Sequence, residues 1–81
     1  MKTLNSTATY QAVFNSISEG GFEVSFPDFP GCVTFGNTFE EAQKMASEVL
    51  SLWIEELEAD HKTIPDSHKR PIIADVTVSL A

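Results

Sequence analysis

The reading of the fold turns on one stretch: Gly20-Gly21-Phe22-Glu23-Val24-Ser25-Phe26-Pro27-Asp28-Phe29-Pro30-Gly31-Cys32-Val33-Thr34-Phe35-Gly36-Asn37-Thr38-Phe39-Glu40-Glu41-Ala42. Paired glycines supply the positive φ values of a tight hairpin turn. After them Phe22, Val24 and Phe26 alternate with Glu23 and Ser25, the period-two pattern of a half-buried strand. Pro27 ends that strand because it has no N–H to give to a ladder. The run from Pro27 to Gly31 reads as a turn with Pro-Gly at its centre, and Asp28 is placed to hydrogen-bond the local backbone. Cys32 to Phe35 is a short third strand closed by Gly36. Thr38, followed three residues later by Glu41, forms a capping box at the start of a helix, and Glu40 and Glu41 suit its positive end.

Working outward toward the N-terminus, Ala8, Tyr10, Ala12 and Phe14 alternate with Thr9, Gln11, Val13 and Asn15. This predicts a strand that pairs with Phe22–Phe26 as an antiparallel hairpin. Residues 1–7 are polar and expected to fray.

Toward the C-terminus no Gly or Pro interrupts the chain until Pro65, so the helix is predicted from Phe39 to about Ala59. At about 100° per residue, Phe39, Ala42, Ala46, Val49, Leu50, Trp53 and Leu57 share one stripe. Met45 and Leu52 lie together off one edge of it. Residues 60–71, with Pro65 and Pro71, read as a loop. From Ile72 to Leu80 the alternation returns, with Ala74, Val76, Val78 and Leu80 against Asp75, Thr77 and Ser79. That predicts a last strand rejoining the sheet. The expected fold is a single α+β domain over 1–81, in the order β-β-β-α-β, with one long helix covering one face of an antiparallel sheet.

Composition narrows the function. The 81 residues carry twelve acidic and five basic side chains, a net charge of −7. An acidic surface repels phosphate and favours a basic protein partner. Lys69-Arg70 is too small for a nucleic-acid footprint. No apolar run approaches the ~20 residues of a membrane span, and the N-terminus lacks a secretory core, so a cytoplasmic location is expected. Cys32 stands alone, which excludes an intrachain disulfide.

Chemistry is hard to find. His61 and His68 lie seven apart in a proline-containing loop, remote from Cys32, and do not form a metal set. Cys32 has no base beside it in sequence, so it reads as a small buried residue rather than a nucleophile. Glu40-Glu41 and Glu55-Glu56 sit on a helix whose exposed face would carry acids in any case. No glycine-rich phosphate loop precedes a helix. The expectation is a protein without enzymatic activity, catalytic residues, metal or cofactor.

The quoted stretch resembles the signature of the HicB-like family: a glycine hairpin, an apolar strand, Pro-Asp-x-Pro-Gly-Cys, a short strand, and Gly-Asp/Asn-Thr-x-x-Glu-Ala. Trp53-Ile54-Glu55 and Ile64-Pro65 are similar to it too, so the likeness runs from about Tyr10 to Pro71. The resemblance implies an antitoxin of a type II toxin–antitoxin system. Such a protein has a partial ribonuclease-H-like domain without that enzyme's active site, and neutralises a small basic RNA-degrading toxin of the HicA type. Many members add a C-terminal DNA-binding domain, whereas this sequence ends at Leu80-Ala81, so direct DNA binding is not expected.

Within that signature Gly20, Gly21, Pro27, Asp28, Pro30, Gly31, Cys32 and Gly36 read as structural, and Thr38 and Glu41 as caps. The candidate partner contacts are Phe29, Met45, Leu52, Glu55 and Glu56. The alternative is a self-assembling module without a toxin, a homo-oligomer (dimer or tetramer) motivated by Met45 and Leu52 beside the main stripe.

Overall fold

A computed structural model describes residues 7–66 and 72–81. Three short strands, β1 (Val13–Ser16), β2 (Phe22–Ser25) and β3 (Val33–Gly36), are followed by one helix, α1 (Phe39–Ala59). The sheet has the order β1-β2-β3 with both pairings antiparallel. The α+β class and the order β-β-β-α are those the sequence predicts.

The β1–β2 connection is a tight turn in which Gly20 donates to the Ile17 carbonyl at 2.8 Å and Ile17 donates to that of Gly21 at 3.0 Å. Both glycines have positive φ, 107° and 90°. Gly21 has a second reason to be glycine: a Cβ there would lie 2.6 Å from the Phe35 ring.

β1 is shorter than its alternation suggests, beginning at Val13 rather than Ala8. The register explains this. Val13 pairs with Ser25 and Phe14 with Val24, so Gln11 falls opposite Pro27, which has no N–H. The ladder stops there, and residues 7–12 continue outside it. Tyr10, Ala12 and Phe14 still pack against the core as the alternation requires.

Helix α1 begins as the capping box predicts. The Glu41 N–H donates to Thr38 Oγ1 at 3.1 Å, and the Glu41 carboxylate accepts from the Asn37 N–H. Its start is seated directly on β3, for a Cβ on Gly36 would fall onto the Ala42 backbone. The helix ends with His61 at φ 55° while Lys62 donates to the Leu57 carbonyl at 2.8 Å, a Schellman closure.

The buried hydrophobic residues among those described are Val24, Phe26, Phe29, Cys32, Ala42 and Ala46. Val49, Leu50, Trp53 and Leu57 of the predicted stripe close over them, with Ile54 added. Phe39 is partly exposed but its ring meets Phe14 at a tilt and Phe22 edge-on, with ring centroids 4.9 and 5.9 Å away.

The predicted return strand is corrected. Residues 72–81 form no strand, and every one of them is exposed. Alternation fixes which side chains share a face, but it does not name the neighbouring strand that would supply the ladder. The expected fraying of 1–7 lies outside the described residues except at Thr7, and of the expected loop only 60–66 is described. His68, Lys69, Arg70 and Pro71 fall outside it.

Candidate partner-binding surface

The helix decides the electrostatics of this surface. Between Phe39 and Ala59 it carries six glutamates against one lysine, Lys44. Glu40 and Glu41 occupy the first turn, where the helix dipole favours them, and no basic residue occupies the last. Glu55, Glu56 and Asp60 instead gather at the carbonyl end, where the dipole disfavours negative charge. The placement costs stability in the free chain, and a cationic partner would offset it.

Two predicted contacts stand on the same surface. Met45 and Leu52 are both exposed, Leu52 at 63%. Two turns apart, they project from one flank of α1, with Glu48 between them and Glu55 and Glu56 one turn beyond Leu52. Apolar and acidic groups thus alternate along one exposed stripe, suited to a surface in which basic side chains flank an apolar patch.

Phe29 does not join them. It is 2% exposed and packs edge-on against Tyr10 at a centroid distance of 4.9 Å. The turn after Pro27 folds it inward: Phe29 donates to the Phe26 carbonyl at 3.0 Å and Cys32 to that of Phe29 at 3.0 Å. Pro27 and Pro30 are on the outside of this turn, with Asp28 half-buried. Gly31 takes φ 91° next to the Trp53 ring.

Cys32 is buried, and burial pushes its thiol pKa above the ordinary value. A thiol kept protonated and out of solvent is a packing residue rather than a nucleophile. Among the described residues no cluster of three or more His, Cys, Asp or Glu is placed to hold a metal. No helix among them is long and apolar enough to cross a membrane.

Two surfaces were not foreseen from the sequence. The sheet face away from the helix exposes Val33 and Phe35, both drawn there by the register that puts Val24 on the helix side. A groove of about 630 Å3 also runs between the segment at Thr7–Tyr10 and the other flank of α1, lined there by Ser47, Leu50, Ser51, Ile54, Glu55 and Glu58. It exists because residues 7–12 leave the ladder, a tertiary consequence that periodicity does not carry.

Comparison with known proteins adds the biological context. Residues 10–76 match the model of a family described as the HicB-like antitoxin of bacterial toxin–antitoxin systems. Antitoxin HicB 1 of Photorhabdus laumondii is 41% identical over 56 residues, covering 69% of this chain and 36% of that protein. A UPF0150 protein of Synechocystis is 36% identical over 56 residues, covering 69% of this chain and 71% of its own. A UPF0150 protein of Helicobacter pylori is 33% identical over 63 residues, covering 78% and 86%. The match therefore spans about a third of the antitoxin from Photorhabdus and most of the two UPF0150 proteins.

Proposed function

We propose that this chain, which belongs to the HicB-like antitoxin family, binds and neutralises a small basic RNA-degrading toxin of the HicA type, acting in the cytoplasm by masking a partner and without chemistry of its own. The family match carries the reading. The net charge of −7 and the stripe of Met45, Glu48, Leu52, Glu55 and Glu56 support it from physics. Complementary charge accelerates encounter and rejects wrong partners, while the apolar side chains supply the buried centre of an interface.

The test is co-purification with the product of the adjacent reading frame, expressed from the native operon and held through a salt wash. A small basic protein eluting in fixed ratio, and arresting growth when expressed alone, supports the reading. Elution of this chain without any such protein overturns it.

Self-association is a second reading, favoured by a specific observation. Ile72, Ile73, Val76, Val78 and Leu80 are all exposed, Ile72 at 94% and Val76 at 85%. Scattered exposed apolar residues are ordinary, but a contiguous run of this size marks an interaction surface.

A further inference from the structure

Residues 74–80 alternate without a break, preceded by the apolar pair Ile72-Ile73. Ile72, Ala74, Val76, Val78 and Leu80 would share one face of an extended strand, and Ile73, Asp75, Thr77 and Ser79 the other. Such a segment meets the requirements of an amphipathic strand except that it has no neighbour to pair with. The same chain offers a matching vacancy. β1 is an edge strand of the sheet, and edge strands present unpaired N–H and C=O groups. Beside the segment that leads into it lies the groove whose apolar wall is Tyr10, Leu50 and Ile54. An adjoining hollow continues along the same edge, past Ala12 and Phe14. Tyr10 also receives the chain leaving the helix, its hydroxyl donating to the Pro65 carbonyl at 2.8 Å.

Resting on the self-association reading, we infer that residues 72–80 of one copy dock along the β1 edge of a second copy, laying Val76 and Val78 into the groove against Leu50 and Ile54, and that the second copy returns the same contact. The occupant is another copy because this chain's own segment is exposed along its length and contributes no residue to the groove, which stands open. Strand and acceptor on one polypeptide also close into a two-fold exchange, in which each contact occurs twice. A specific interface buries about 1,200–2,000 Å2. Two exchanged nine-residue strands would each run about 30 Å at about 3.3 Å per residue, the length along which that area is to be buried. The groove lies on the flank of α1 away from Met45 and Leu52 and meets the acidic stripe only at Glu55, which lines its rim, so the exchanged dimer leaves Met45, Glu48, Leu52 and Glu56 uncovered.

Sedimentation equilibrium of the full chain at tens of micromolar tests this, alongside two variants whose helix content is checked by circular dichroism. Val76→Asp/Val78→Asp removes the apolar row of the segment. Ser47→Arg/Ser51→Arg crowds the groove from two exposed positions without touching the core. The expected result is a dimer for the natural chain and a monomer for both variants, with helix content retained in all three. A monomeric natural chain overturns self-association and the docking together. A dimer lost with the first variant but kept by the second leaves self-association standing and overturns the docking at the groove. A dimer kept by both variants overturns any role for residues 72–80.

Discussion

The Tyr10 hydroxyl donates to the Pro65 carbonyl at 2.8 Å across 55 residues of sequence. The bond joins the segment before the sheet to the chain after the helix, the two ends of the folded body. The Tyr10 ring is meanwhile held edge-on by Phe29. One side chain therefore couples the buried turn of the motif, the wall of the groove and the point from which the chain departs toward residue 72.

Replacing Tyr10 with Phe keeps the ring against Phe29 and removes only the hydroxyl. The loss of one partly buried hydrogen bond is expected to cost about 0.5–1.5 kcal/mol. Urea denaturation measures the cost. Hydrogen exchange is expected to quicken at the Ile64 and Asp66 amides while β2 is unchanged.

Gly36→Ala tests the seating of the helix on β3. The added methyl would meet backbone rather than a flexible side chain, so α1 must shift as a body. A loss of about 1–3 kcal/mol or more is expected, read as a lower urea midpoint. The same substitution at Gly20, where nothing lies within 4 Å, meets only the backbone strain of a positive φ and costs less.

Cys32 gives the fold a dependence on alkaline pH. Its folded pKa is raised by desolvation, so the folded chain keeps its proton when the unfolded chain releases it. This contribution is fully present below the unfolded value of about 8.5 and is lost as pH rises through the folded value. Urea midpoints measured from pH 7 to pH 10 are expected to fall across that window. Cys32→Ala is expected to lower the midpoint at every pH and to remove the thiol's share of the slope.

Much of this was legible from local chemistry. Pro27 and Gly36 bound β2 and β3 because a missing N–H and a missing side chain act where they stand, and Thr38 with Glu41 starts the helix for the same reason. The rest depended on neighbours. β1 starts late because Pro27, just past the end of the partner strand, ends the ladder opposite Gln11. Phe29 reads as an exposed apolar residue in a polar turn, and only the return of that turn over Tyr10 buries it. Residues 72–80 show that alternation describes a strand's faces and leaves its partner open. Of the proposed contacts, Met45 and Leu52 were legible because helical periodicity alone places them off the buried stripe.

Glu55→Lys/Glu56→Lys separates binding from folding. Positive charge at the carbonyl end of α1 complements the helix dipole, so the free chain is expected to gain about 0.3–1 kcal/mol per substitution. Affinity for a basic toxin is expected to fall by on the order of tenfold or more, chiefly through slower association at low salt. Thermal melting and surface-immobilised binding measure the two effects, which have opposite signs.

The most direct measurement is inhibition of the toxin's RNA cleavage by this chain, titrated with both proteins purified. The account predicts that cleavage falls linearly to zero at a fixed stoichiometric ratio, and that the Glu55→Lys/Glu56→Lys chain fails to reach that end point at equal concentration. Undiminished cleavage in the presence of excess chain would contradict it.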